Sequence, residues 1–315
     1  MKRRIKISVC GCTPEIVKIV YDSLNKMELF EVIISDDFRH SDIIYWIYGK
    51  GPSIKKFFPI WIKKNPIIIN HWIGSDVLGE IKKNREHGIT RIQNSIENYI
   101  HYRKWKNGGL INLSAAPWLY DELSKLHIYA TYLPITTIDV HELETLDSPL
   151  EKDIDFLCYV PFRSFDFYGG DKIVKLAHKW QNYTFFLVIP DLKEIPLGFV
   201  EKMPKNVLVS PKVTRSQMFE FYKRSKFFIR YTQHDAVSLS VLESLYFNLQ
   251  VLWTYDFPFT KKIKTEEILS DSIPDLVQNW HPNEGSRAFI IENFSTEKFR
   301  ENFMKILQNQ SDLLP

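Results

Sequence analysis

Apolar and polar positions alternate in short blocks along the front of this chain. Ile5 to Cys10 is an apolar run with strand spacing, and Pro14 to Lys26 places apolar residues at helical spacing with proline in its first turn. Phe30 to Ser35 and Ile43 to Tyr48 read as further strands, and Pro66-Ile-Ile-Ile-Asn70 as a short buried strand ending in polar residues. A weaker strand, Asn112 to Ser114, precedes a helix from Ala116 to Leu126, and Ile128 to Leu133 closes the series. Strands alternating with helices predict a parallel sheet covered on both faces.

From Pro134 to Lys152 the rhythm stops. This stretch is acidic, lacks periodicity and carries Pro134 and Pro149, so it reads as a linker. The alternation then resumes. Strands are expected at Ile154 to Val160, Tyr183 to Ile189, Asn206 to Ser210, Lys226 to Tyr231 and Gln250 to Thr254. Helices are expected at Asp171 to Trp180, from a Thr214 cap to Tyr222, at Val237 to Phe247, and at Thr296 to Gln308 behind Ser295. Two such runs predict an α/β protein of two Rossmann-like, doubly wound domains facing a cleft, residues 1–148 and 149–315. The terminal helix is a candidate to pack back on the first domain.

Bulk composition narrows the classes. At 315 residues, 44% hydrophobic and 25% charged, the chain has the make-up of a soluble two-domain protein. A net charge of +3 argues against a broad nucleic-acid footprint, so no nucleic-acid partner is expected. Cys10, Cys12 and Cys158 cannot form a disulfide framework, which points to a reducing cytosol, and Cys10-Gly-Cys12 lacks partners for zinc. The apolar stretch after the basic N-terminus is too short for a signal-peptide core, and no run approaches the roughly 20 apolar residues that span a bilayer. The expected location is cytoplasmic. Lys55 to Lys64 and Tyr99 to Lys106 mix aromatics with basic residues. Such stretches suit either a surface helix with its aromatics in the core or peripheral contact at the inner membrane face.

Candidate chemistry centres on two acids, Asp235 and Glu243. Asp235 follows the apolar run Phe227-Phe-Ile, where a strand gives way to a helix, and Glu243 lies two turns inside that helix. Open parallel sheets bind ligands at the carboxyl ends of their strands, and helix N-termini there suit phosphate. The competing reading makes Asp235 a helix cap and Glu243 a solvated surface residue. Arg230 sits in an otherwise apolar strand, where a charge needs a partner or a polar cleft.

In context, Phe227 to Leu252 resembles the donor-binding segment of retaining GT-B glycosyltransferases, especially the large family 4 group. The Glu-x7-Glu motif of that family appears as Asp235-x7-Glu243, with Val241-Leu-Glu-Ser-Leu around the second acid and Gln250-Val-Leu-Trp behind it. His71-Trp-Ile-Gly-Ser-Asp76 resembles an acceptor-side loop of some members. Tyr159-Val-Pro-Phe-Arg163 followed by Tyr168-Gly-Gly-Asp171 resembles the start of the second domain. The chain departs from the pattern at Asp235, at Tyr168 in place of a second basic residue, at Asn248 in place of glycine, and in a first loop reduced to Gly11.

The resemblance implies transfer of a sugar from a nucleotide-diphosphate donor to a glycan or lipid-linked acceptor. It implies retention at the anomeric carbon, no bound metal, and no cofactor beyond the nucleotide sugar as substrate. Asp235 would accept a hydrogen bond from a donor-sugar hydroxyl and Glu243 from the ribose. Backbone N–H groups of Ala236, Val237 and Ser238 would face the diphosphate, with Arg163 and Arg230 as cations. His71 would bond the transferred sugar or help carry the acceptor proton, and Asp76 would be either a base or a helix cap. A nucleotide-sugar 2-epimerase and a non-catalytic nucleotide-sugar-binding scaffold are the alternatives on the same fold.

Overall fold

The computed structural model describes residues 3–11, 14–49, 66–84, 99, 106, 109–135, 137–145 and 150–309. The Lys55 to Lys64 stretch, Cys12 and most of Tyr99 to Lys106 lie outside the described residues. The chain divides into two compact units. One draws on Met1–Thr137, Asp235–Val237 and Phe294–Pro315, the other on Ile138–His234 and Ser238–Asn293.

The first unit is built on six parallel strands. They are β1 (Ile5–Gly11), β2 (Phe30–Ile34), β3 (Ile43–Ile47), β4 (Ile67–Trp72), β5 (Leu110–Ser114) and β6 (Thr131–Tyr132), in sheet order β2-β1-β3-β4-β5-β6. Its helices are α1 (Pro14–Asn25), α2 (Ser75–Asn84) and α3 (Pro117–Lys125). β1, β3 and β5 are almost wholly buried, as expected of parallel strands covered on both faces.

The second unit opens with a helix the linker reading missed. α4 (Val140–Glu144) starts where the Asp139 side chain accepts a hydrogen bond from the Glu142 N–H. There follow β7 (Ile154–Tyr159), a 3-10 turn at Phe162–Ser164, α5 (Gly170–Lys179), β8 (Phe185–Val188), α6 (Leu197–Val200) and β9 (Val207–Ser210). α7 (Arg215–Arg224), β10 (Ser225–Arg230), α8 (Leu239–Tyr246), β11 (Gln250–Trp253), β12 (Thr260–Lys262), α9 (Glu266–Gln278) and α10 (Ser286–Phe294) complete it. Strand order is β12-β11-β10-β7-β8-β9, and every pair is parallel. The chain then returns to the first unit as α11 (Thr296–Gln308), which packs on α1 and buries Phe299, Phe303 and Leu307 at helical spacing.

Register explains the centre of the second core. Phe156 on β7 stands opposite Phe227 on β10 and Phe185 on β8. The three rings stack across the strands at 5.1 and 4.9 Å between centroids. Such aromatic pairs add about 0.5–1.5 kcal/mol each beyond the area they bury, so the two stacks hold β10 and β8 on either side of β7. The ends of β7 and β10 carry the candidate site.

The junction between α7 and β10 is abrupt. Arg224 ends the helix and Ser225 begins the strand. Lys152 clamps the junction, its Nζ reaching the Tyr222 and Ser225 carbonyls at 3.4 and 2.8 Å. Burial lowers the pKa of this amine to about 8. Among the described residues no helix is long and apolar enough to cross a membrane.

Candidate functional site

Glu243 is the most unusual residue of the second unit. The resemblance assigns it a ligand, whereas helix statistics favour a solvated glutamate. In α8 every residue from Val241 to Tyr246 is buried, and the Glu243 side chain is 6% exposed. A carboxylate in such a place is costly unless it is paired. Its partner is Arg215, the first residue of α7, with Nη1 at 2.8 Å from Oε1. The guanidinium and the Tyr222 hydroxyl both act on this carboxylate. Burial raises the Glu243 pKa to about 7, against the charge of Arg215 and the hydroxyl of Tyr222, while the Glu142 charge adds to the rise.

Arg215 is itself fixed from three sides. Thr214 and Gln217 close a reciprocal capping box that sets where α7 begins. Arg215 Nε lies 3.1 Å from both carboxylate oxygens of Glu142 on α4. The guanidinium rests 4.8 Å from the Phe219 ring centroid, one turn along. Arg215, Glu142 and Tyr222 were absent from the sequence-based site. One signal was present: a cation in the first turn of a helix opposes the helix dipole, and such a residue calls for a carboxylate nearby.

Arg230, the last residue of β10, is 7% exposed. Its guanidinium lies 4.6 Å from the ring centroid of Tyr168 and 3.5 Å from the Tyr159 carbonyl. Burial raises the pKa of Tyr159, with Arg230 acting against the rise and Glu243 adding to it, so Tyr159 feels both charges. Arg163 is exposed in the 3-10 turn that follows β7. Asp191 accepts hydrogen bonds from the Phe162 and Arg163 N–H groups at 2.6 and 2.9 Å and fixes that turn. Ser238, at the start of α8, turns its hydroxyl to Ser240 at 2.9 Å and makes no capping bond, so its side chain leaves the first-turn N–H groups of α8 uncapped.

The remaining sequence-based candidates belong to the first unit. Asp235, Ala236 and Val237 are part of it, and Trp118 Nε1 donates to the Asp235 carbonyl at 2.7 Å. Ala236 and Val237 are buried and Asp235 is half-buried.

His71 lies inside β4 rather than after it, and is fully buried. Its Nε2 is 2.8 Å from the Leu133 carbonyl and its Nδ1 2.6 Å from the Tyr45 hydroxyl. A carbonyl only accepts, so Nε2 carries the proton and Nδ1 accepts from Tyr45. Burial lowers the imidazole pKa to about 3 against the Leu133 bond. The ring is therefore neutral and both nitrogens are engaged within the unit, so a bond to a substrate does not follow from this geometry.

Asp76 occupies a capping position at the start of α2. Its buried carboxylate accepts from the backbone N–H groups of Gly49, Gly74, Val77 and Ile73, with shortest distances of 2.7, 2.8, 2.9 and 3.1 Å. Burial raises its pKa and those four donors oppose the rise.

Two parallel α/β units of this construction define the GT-B glycosyltransferase fold, and known structures bear this out. An S. aureus TarM variant in complex with fondaparinux, alpha-GlcNAc-glycerol and UDP superposes with a TM-score of 0.57 and 14% identity, over 92% of this chain. The present chain spans 58% of that protein. AviGT4, a glycosyltransferase involved in avilamycin A biosynthesis, matches over 98% of both chains with a TM-score of 0.61 and 10% identity. A glycosyltransferase from Rickettsia africae matches over 100% of this chain and 99% of its own, with a TM-score of 0.62 and 12% identity. No family model matches the sequence. No curated protein matches it either.

Proposed function

We propose that this protein transfers a sugar from a nucleotide-diphosphate donor to a glycan or lipid-linked acceptor, with retention at the anomeric carbon and without a bound metal. One observation carries the reading. Glu243 is a carboxylate buried in α8, the helix that follows β10, and it is kept there as one half of an ion pair with Arg215 at 2.8 Å. An ionised carboxylate has about four lone-pair sites, so a ribose hydroxyl would donate to one that Arg215 and Tyr222 leave over, and a bond to a charged acceptor contributes about 1.5–3 kcal/mol. The fold likeness supports the reading, and the TarM complex contains UDP.

The other residues follow from what leaving diphosphate chemistry needs. Charge builds on the phosphates as the glycosidic bond breaks, and fixed cations stabilise it. Arg230 meets that need at the β10 end, and its stacking on Tyr168 restores a positive charge close to where the family's second basic residue is missing. Arg163, exposed after β7, is the second cation and can grip phosphate oxygens bidentately. Asp235 accepts from a sugar hydroxyl, and the N–H groups of Ala236, Val237 and Ser238 face the diphosphate. Asp76 and His71 hold the front unit's loops in shape rather than exchange protons.

The test is release of nucleoside diphosphate from a panel of nucleotide sugars, alone and with candidate acceptors. Wild type should release it, and Glu243→Ala should lower kcat/KM on the order of a hundredfold, the loss expected for one or two charge-assisted bonds. Absence of turnover and of nucleotide binding would sink the reading in favour of a scaffold. Conversion of the sugar without an acceptor would replace it with an epimerase.

A further inference from the structure

We propose that Arg215 is a positioning residue for the donor site: it keeps Glu243 ionised and aims its carboxylate at the nucleotide. The inference rests on the donor-binding reading of Glu243. The geometry supplies the reason. Arg215 lies at ion-pair distance from Glu243, and it enters from a different element, the first turn of α7. A capping box fixes its backbone, a carboxylate on α4 holds Nε, and a ring one turn along supports the guanidinium plane. A guanidinium so constrained has little freedom left to lose when a ligand arrives, which is what preorganisation requires. An arginine in the first turn of a helix works against the helix dipole, so this position favours it only through its partners.

The groups that act on Glu243 come from α7, α4 and β7. Arg215 and Tyr222 on α7 favour the carboxylate, while burial and Glu142 on α4 disfavour it. Tyr159 on β7 is electrostatically linked to Glu243 and to Arg230. The pKa of Glu243, about 7, lies above the usual carboxylate value. Ionised Glu243 is therefore lost as pH falls through neutrality, and ligand affinity that depends on it falls with it. Removing the cation moves this titration upward. Removing the Glu142 charge moves it downward, because one disfavouring charge has gone. The opposite signs separate an electrostatic role from general loosening of the site, which would move both variants the same way.

The experiment follows the Glu243 carboxyl resonance in protein carrying carbon-13 at glutamate side-chain carboxyls, assigned by its loss in Glu243→Gln. In parallel, calorimetry measures affinity for whichever of UDP, GDP and ADP wild type binds best, across pH 5.5 to 8.5. In Arg215→Gln the midpoint should rise by about one pH unit, the low end of what a nearby opposite charge produces, and affinity at pH 7 should fall about tenfold. Arg215→Lys should restore the midpoint and recover only part of the affinity, since lysine carries the charge without the planar fork. Glu142→Gln should lower the midpoint.

An Arg215→Gln midpoint that stays put or falls overturns the inference, as does an Arg215→Lys midpoint that fails to return toward wild type. A Glu142→Gln midpoint that moves upward overturns it too, and this variant retains the cation and carries the test should Arg215→Gln not fold. Failure of the underlying donor reading looks different. There Glu243→Gln would bind nucleotide as well as wild type, or no nucleotide would bind wild type, whatever the resonance midpoints do.

Discussion

Asp76→Ala is expected to lose about 3 kcal/mol of stability in urea unfolding. The side chain is 4% exposed as part of its residue and serves four backbone donors. Alanine removes the acceptor and leaves the N–H groups of Gly49, Ile73, Gly74 and Val77 to find another. A buried donor left without a partner costs about 1–3 kcal/mol. Four such losses, about 4–12 kcal/mol, would be comparable with the whole stability of a typical domain, but two effects reduce the total. Some donors regain water as the loop relaxes, and the variant no longer buries a charge, a gain consistent with the raised pKa of Asp76. The local signature is faster hydrogen exchange at Ile73, Gly74 and Val77. A change below 1 kcal/mol would show that the four bonds are replaceable and that Asp76 is free for another task.

Gly169→Ala should be comparably damaging, at about 3 kcal/mol, for a different reason. Gly169 adopts φ +71° immediately before α5, a region that side-chain-bearing residues avoid at a cost of about 1 kcal/mol. An added Cβ would fall 2.4 Å from the Tyr231 carbonyl oxygen and 2.7 Å from its Cβ. Both atoms belong to a segment directly after β10, so relief requires that segment to move. Arg230 is its neighbour, so the donor reading adds a second expectation: nucleotide affinity should fall even under conditions where the variant is fully folded. Thermal unfolding and calorimetry on the same preparation check the two effects separately.

The two sheets were legible because parallel strands covered on both faces must be apolar throughout, and Ile43 to Tyr48 or Ile154 to Val160 admit no other economical packing. What escaped detection has identifiable causes. α4 is five residues long, too short for a helical period to show. α9 carries Pro274 in its interior, a residue that normally marks a helix end. β4 runs on through His71 and Trp72, although a histidine after Asn70 reads as the strand's polar end; its acceptor at Leu133 is 62 positions away, beyond any local pattern.

The candidate site was half legible for the same reason. Spacing marked Glu243 but could not tell a buried carboxylate from a wet one. α8 is buried nearly all round, so it has no polar face against which Glu243 would look out of place. Its counter-ion lies 28 residues earlier, as the numbering of Arg215 and Glu243 shows, and only the folded chain joins them. Arg230 could be marked because a charge inside an apolar strand is visible locally, whereas the aromatic ring beneath it could not.

Because α7 passes into β10 with no turn between Arg224 and Ser225, the phase of the helix is locked to the pairing of the strand. One extra residue spliced in at that seam would leave the ladder with β7 and β11 intact and turn the whole helix by about 100° about its axis. Arg215 would then face away from Glu243 while Arg230 kept its place on Tyr168. The seam thus ties the two guanidinium groups to a single residue count, and a lengthened chain would separate their contributions without altering either side chain.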